Sequence, residues 1–302
     1  MSKRMVDYKV EDGKIVSIDG YELAGGGSDY EIKELVVTEN GVYDIAGEAY
    51  KPVRVNVPQT AQSGTVKAVL DATKSASYLF TGYKGASVDA LISYNDTANV
   101  TNMTYMFNKC SNLTTIPLLN TSKVTYMKFM FNTDNSLTTI PQLDTSNALD
   151  MSYMFYNCSS LTTIPQLNTS KVTNTTYMFY NCNNLTTIPQ LDTSNVIDMS
   201  YMFYNCANLT TVPELNAQKL AYSSSLDSIF TGCTKLVSIG LYGFTSSINI
   251  TPTALEHDAL VAFLNQAGTA RSGARITMGS TKLALLSDEE KAIATNKGWT
   301  LA

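Results

Sequence analysis

Residues 148–171 read ALDMSYMFYNCSSLTTIPQLNTSK, and the pattern returns along the middle of the chain. Phe107, Phe131, Phe155, Phe179 and Phe203 stand 24 residues apart. Leu113, Leu137, Leu161, Leu185 and Leu209 follow six residues on, and Pro117, Pro141, Pro165, Pro189 and Pro213 four beyond those. Degenerate copies surround Phe80 and Phe230, each 27 residues from its neighbour, so there are seven units. A unit this short cannot bury its own apolar side. Identical units stacked in parallel bury it against one another, which predicts a solenoid.

Counted from the phenylalanine, the apolar positions of a unit are −7, −4, −1, 0 and +3, as in Val196, Met199, Met202, Phe203 and Cys206. This spacing predicts a short helix, started by the Thr-Ser before it, whose side-chain oxygens can cap free amides. The following Leu-Thr-Thr-Ile predicts a short strand, ended by a proline that cannot donate a ladder hydrogen bond. At about 4.8 Å between strands, seven units give a strand-lined face on the order of 30 Å long.

The F-x-x-C-x-x-L-x-x-I-P-x-L core of residues 64–250 resembles the BspA-like class of leucine-rich repeats. Its M-x-x-M-F variant is similar to the form common in surface proteins of mycoplasmas, Firmicutes and their phages. The expected fold class is therefore an α/β leucine-rich-repeat solenoid, one short strand and one short helix per 24–27-residue unit, with a small all-β module before it and an α/β cap after it. Two positions depart from the pattern: Asp134 takes the column cysteine's place and Thr175 the column methionine's. Each predicts a polar group toward the core, with a local water or a shifted helix around it.

All five cysteines, Cys110, Cys158, Cys182, Cys206 and Cys233, occupy the +3 column. Small buried hydrophobes stacked in a ladder account for them. No close Cys-Cys or Cys-His spacing suggests zinc, and reduced thiols suit folding in the cytosol.

Three domains are expected. Residues 1–62 hold 7 basic and 11 acidic side chains and alternate as strands do in Lys14–Ile18 and Pro52–Val57, between Asp12-Gly13, Gly25-Gly26-Gly27 and Asn40-Gly41. The stretch from Val36 to Pro58 resembles a short β motif of structural and tail proteins of phages that infect Gram-positive bacteria, which implies an attachment module. Residues 63–250 form the solenoid. Residues 251–302 read as its cap: a helix over Thr253–Gln266, a strand over Arg275–Met278, and a Ser287-Asp288-Glu289-Glu290 capping box opening a helix that Gly298 ends before Trp299. The tail from Lys291 to Leu301 resembles the end of many phage-encoded and surface leucine-rich proteins. Trp299 is read as packing inside the cap.

Of 302 residues 44% are hydrophobic but only 16% charged, with a net charge of −5, so a core is available and a basic nucleic-acid-binding face is not expected. The repeats carry 9 basic and 10 acidic residues and owe their solubility to Asn, Thr and Ser. A single histidine, His257, leaves no His-based triad and no multi-His metal site. No stretch reads as a secretory signal or a membrane span, and N-x-[ST] triplets such as those at Asn102, Asn112, Asn184 and Asn208 are expected to be unmodified.

Position −2 holds Tyr105, Phe129, Tyr153, Tyr177 and Tyr201, about 160° round the predicted helix from the buried phenylalanine. Position +1 adds Tyr156, Tyr180 and Tyr204 on the flank. These eight residues are the candidate recognition surface: ring-on-ring stacking between turns, or a platform for glycan rings or a partner protein. After each strand Asn120-Thr-Ser-Lys123, Asp144-Thr-Ser-Asn147, Asn168-Thr-Ser-Lys171 and Asp192-Thr-Ser-Asn195 alternate Lys with Asn, which keeps lysines two turns apart. A calcium ladder through Asp144 and Asp192 is the alternative use of that loop. No catalytic residue, cofactor or metal is assigned. The function expected is a non-enzymatic phage structural protein of virion surface, tail or baseplate, assembled in the host cytoplasm. Other virion proteins would bind it through the first module, and a host glycan or protein at the repeats; homo-oligomerisation is left open. The alternative is a bacterial cell-surface adhesin of the BspA-like class.

Overall fold

A computed structural model describes residues 74–89, 91–221 and 225–302, together with Leu70 and the backbone of six short strands nearer the N-terminus. Those strands are β1 (Met5–Val6), β2 (Lys9–Glu11), β3 (Lys14–Ser17), β4 (Leu35–Thr38), β5 (Gly41–Asp44) and β6 (Arg54–Val55). β2 pairs with β3 and β4 with β5 antiparallel, and β1 with β6 parallel. The rest of 1–62, including the glycine run and the proposed attachment role, lies outside the described residues.

From Ser75 the chain climbs one turn per repeat. Single parallel bridges link Ser75 to Asn102, Asn102 to Tyr126, Tyr126 to Asp150, Asp150 to Asn174 and Asn174 to Asp198. Phe80, Phe107, Phe131, Phe155, Phe179, Phe203 and Phe230 stand over one another with ring centroids 5.5–6.1 Å apart and planes within 9°. All seven are fully buried, with the methionines of −4 and −1, the leucine of +6 and the cysteines of +3 around them. Burying each ring is worth about 1.5–3 kcal/mol, and each aromatic pair adds about 0.5–1.5 kcal/mol.

The helix expected in each unit is absent among the described repeats. Along 103–110 the amides alternate partners. Met103, Tyr105, Phe107 and Lys109 donate to Tyr126, Lys128, Met130 and Asn132 on the next turn, whereas Met106, Asn108 and Cys110 donate three residues back to Met103, Tyr105 and Phe107. The same alternation recurs on the following turns. Two residues per turn adopt left-handed φ: the −2 residue, 56–59° in Tyr105, Phe129, Tyr153, Tyr177 and Tyr201, and the +2 residue, 56–66° from Lys109 to Asn205. Such angles end an α-helix at once. The apolar positions form two runs of strict period three, −7, −4, −1 and 0, +3, +6, from which a 3.6-residue helix would drift. An identical neighbour one strand spacing away offers every second amide an acceptor that an isolated turn lacks.

The expected Leu-Thr-Thr-Ile strand is likewise thin in the interior, where Thr162 donates to Thr138 and Thr210 to Thr186, one backbone bond per turn. Extended pairing occurs in the last turns, where β7 (Thr211–Asn216) runs parallel to β8 (Ser238–Tyr242). At the two polar departures the chain does not shift. Asp134 N still donates to Phe131 and Leu137 N to Asp134, and Thr175 donates by both amide and hydroxyl to Asp198 O.

The cap contains α1 (His257–Gln266), α2 (Gly279–Leu283), α3 (Asp288–Thr295) and a parallel sheet ordered β11 (Thr300–Leu301), β10 (Arg275–Thr277), β9 (Ile248–Asn249). α1 begins four residues later than expected because Thr253 turns back, amide and hydroxyl both donating to Ile250 O. The expected capping box is present: Ser287 Oγ accepts from Glu290 N, and Glu290 accepts from Ser287 N at 2.8 Å. Trp299 is buried against Phe244 and donates its indole N–H to Gly268 O at 2.8 Å. Arg271 donates to Leu220 O at 2.9 Å, and Lys297 Nζ donates to the carbonyls of Leu264, Asn265 and Ala267 at the end of α1. These two side chains hold the cap to the last turn and to its own helix.

Candidate functional site

The left-handed −2 residue decides where the aromatic surface lies. Instead of standing opposite the core on a helix, its ring is folded back along the stack and half-buried. Tyr105, Phe129, Tyr153, Tyr177 and Tyr201 form one continuous file with centroids 4.3–4.7 Å apart and planes within 20°. Tyr78 extends it at 4.6 Å from Tyr105. The position two before Phe80 in the degenerate first copy signals Tyr78, and the sequence reading passed over it.

Tyr156, Tyr180 and Tyr204 make a second file, 4.7 and 4.6 Å from ring to ring. The files touch: Tyr153 lies 5.6 Å from Tyr156, Tyr177 5.5 Å from Tyr180 and Tyr201 6.1 Å from Tyr204, all tilted at 43–49°. Lys128 sits with Nζ 5.4 Å from the centroid of Phe129 and 5.9 Å from that of Tyr153. All eight predicted surface residues are thus brought into one two-file face. Their chemistry differs from the expected platform, however. Rings stacked at van der Waals distance cover each other's faces, so an approaching ligand meets ring edges and phenolic oxygens. The hydroxyls of Tyr153, Tyr177 and Tyr180 are held neutral, their pKa raised first by burial and then by neighbouring phenols, with Asp198 a further cause at Tyr153.

Beside this face run ladders of amides. Asn181 Nδ2 donates to Asn157 Oδ1 at 2.7 Å and Asn205 to Asn181 at 3.0 Å. Lys123, Lys171 and Lys219 each donate to an asparagine one turn earlier, Asn99, Asn147 and Asn195, at 2.7–2.8 Å. Those asparagines in turn donate down the stack, Asn147 to Ser122 O and Asn195 to Ser170 O. The Lys/Asn alternation is therefore a hydrogen-bond chain as well as a spacing of charge.

An open groove of about 960 Å³, not expected from the sequence, is lined by Gln142, Gln166 and Gln190 together with Asp144 and Asp192. Each aspartate accepts from the hydroxyl and amide of the serine two residues on, which lowers its pKa. Gln142 and Gln166 donate to the carbonyl of the glutamine above. The groove's polar groups are engaged with one another. Among the described residues no group of three or more His, Cys, Asp and Glu is arranged to hold a metal ion, and no helix is long and apolar enough to cross a membrane.

The cysteines are all free and buried. Each thiol donates to the carbonyl of the phenylalanine one turn earlier, and burial pushes the pKa up, to about 12 at Cys233.

Comparison of the chain with curated proteins finds no match. Residues 74–187 and 159–251 match a family described as Mycoplasma protein of unknown function, DUF285. These two stretches overlap and together cover the stack of turns from Lys74 to its last phenylalanine and on to β9, well over half of the 302 residues; by its repeats, this chain belongs to that family.

Proposed function

We propose that the chain is a non-enzymatic recognition protein, a BspA-like leucine-rich-repeat solenoid carried on a phage virion at its surface, tail or baseplate. Its tyrosine files meet a host-surface protein or glycan, and residues 1–62 attach it to other virion proteins. The observation that carries this reading is the two-file face: eight aromatic residues in register on consecutive turns, with the phenols of Tyr153, Tyr177 and Tyr180 kept neutral by burial. A face made only for solubility would be charged. Since ring faces are spent on stacking, recognition runs through hydroxyl hydrogen bonds and edge packing, which favours a partner surface of regular polar groups over single sugar rings. A bacterial cell-surface adhesin is the second reading, favoured by membership of a family described from mycoplasmas.

The test is Tyr177→Phe with Tyr180→Phe, which removes two hydroxyls and keeps both stacks, as Phe129 already does in the first file. Against a panel of intact Gram-positive and mycoplasma cells and Gram-positive cell-wall polysaccharide, binding should fall at least about tenfold with stability changed by no more than about 0.5 kcal/mol. Binding by the unaltered protein should vary little with salt. Unchanged binding by the double variant would remove the files as the recognition surface.

A further inference from the structure

The +3 column holds five cysteines and one carboxylic acid. Cys110 donates to Phe80 O at 2.9 Å, Cys158 to Phe131 O at 3.0 Å, Cys182 to Phe155 O at 3.1 Å, Cys206 to Phe179 O at 3.1 Å and Cys233 to Phe203 O at 3.0 Å. In the run from Phe80 to Phe203, Phe107 alone has no thiol on its carbonyl, because the residue in that place on the next turn is Asp134. Asp134 is completely buried. Its Oδ1 accepts from Cys110 N at 2.7 Å, and its Oδ2 is buried with no partner. One rung of the ladder therefore contains both a carbonyl that has lost its side-chain donor and a carboxyl oxygen that has nothing to bond.

We propose that Asp134 is carried in the folded protein as a neutral carboxylic acid whose Oδ2–H donates to the Phe107 carbonyl in place of the missing thiol, and that losing this proton opens the stack between the turns of Phe107 and Phe155. An ionised carboxylate there would set its charge beside the oxygen of Phe107 with one amide for support, whereas the neutral acid completes the hydrogen-bond pattern of the five thiols. The titratable groups facing it are Cys110 from the turn before and Cys158 from the turn after, both neutral thiols. Lys84 bears on Cys110, and no cation is among the influences on Asp134 itself. Burial accordingly pushes the Asp134 carboxyl well above the usual carboxylate range.

The sign follows by linkage. The folded acid keeps its proton at pH values where the unfolded chain, with an ordinary carboxyl near pH 4, has released it. The seam is strongest below pH 4 and weakens as pH rises toward the folded-state value, by up to tenfold in the opening equilibrium per pH unit. An aqueous thiol reagent reads this locally. Between about pH 6 and 9, labelling of Cys110 and Cys158 relative to Cys206 in the same molecule should rise with pH in the unaltered protein. In Asp134→Asn, whose amide donates to Phe107 and accepts from Cys110 with no proton to lose, the ratio should stay flat. In parallel, the infrared spectrum at neutral pH should contain the C=O stretch of one buried protonated carboxyl that Asp134→Asn lacks. A flat ratio in the unaltered protein, a rise that Asp134→Asn shares, or absence of that band would each overturn the proposal. Should Asp134→Asn fail to fold, the ratio and the band of the unaltered protein still decide.

Discussion

Interior turns of the stack send every second amide of their phenylalanine segment to the neighbouring turn, as along 103–110, whereas the cap beyond Thr251 folds three short helices whose amides bond within the helix, one of them with its own capping box. The two regions therefore depend on different things. A turn such as 148–171 has within itself only single three-residue closures, such as Met154 N to Met151 O and Tyr156 N to Tyr153 O; the rest of its order comes from the turns on either side. α3 carries its own Ser287/Glu290 box, and Lys297 closes α1 from 30 to 33 residues away by filling three carbonyls. The largest expected contrast comes from one buried aromatic in each. Phe155→Ala should cost about 3–5 kcal/mol, and because Phe131 and Phe179 both stack on that ring, Cys158 and Cys182 should become labelled rapidly. Trp299→Ala removes a similar volume and should cost about as much, but it should loosen the cap while Cys110, Cys158 and Cys182 stay protected. Urea unfolding with thiol labelling reads both; rapid labelling of all five thiols in Trp299→Ala would mean that stack and cap are one cooperative unit.

Which parts were readable from residues follows the same division. The columns of Phe, Leu, Met and Cys were legible because 24-residue self-similarity demands that equivalents meet. Ser287, Glu290 and Gly298 were legible because a cap is a local arrangement. Helix in the repeats was misread: at 100° per residue the positions −7, −4, −1, 0 and +3 fall within about 120° of arc, so two offset runs of period three pass for one helical face, and the partner that selects turns over helix is a carbonyl 23 residues away, as Tyr126 O is for Met103 N. The tyrosine files were identified by column but turned the wrong way, since a helix was assumed where Tyr153 has φ 58°. Arg271 reaching Leu220 had no local signature at all.

A medium effect tests whether the left-handed positions really govern the turns. The +2 column is Asn157, Asn181 and Asn205 in three turns, residues that tolerate positive φ, but Thr133 holds the same place at φ 66° with a β-branched side chain. Thr133→Asn should stabilise the protein by about 1 kcal/mol, through an easier backbone and a further rung for the amide of Asn157. The urea midpoint should rise with an unchanged slope. A fall would mean that the threonine's packing outweighs its backbone cost.

The smallest effect separates two accounts of the Lys/Asn alternation. If the asparagines only keep lysines apart, Asn147→Lys destabilises by repulsion among three ammonium groups, at positions 123, 147 and 171, one turn apart. That loss is screened by salt, since these groups are exposed. If the asparagines matter for the bonds they make, the variant also forfeits the Asn147 amide's donation to Ser122 O and its acceptance from Lys171. That part persists at high salt. We expect a total loss of about 1 kcal/mol at low ionic strength, near the upper end for exposed polar sites, of which about half remains in 1 M salt. Asn147→Ala supplies the reference, because it removes both hydrogen bonds and adds no charge. Its loss should be nearly independent of salt and should match what remains of the lysine variant's loss at 1 M. Should Asn147→Ala cost nothing measurable, the hydrogen-bond chain contributes little, and spacing of charge alone accounts for the alternation.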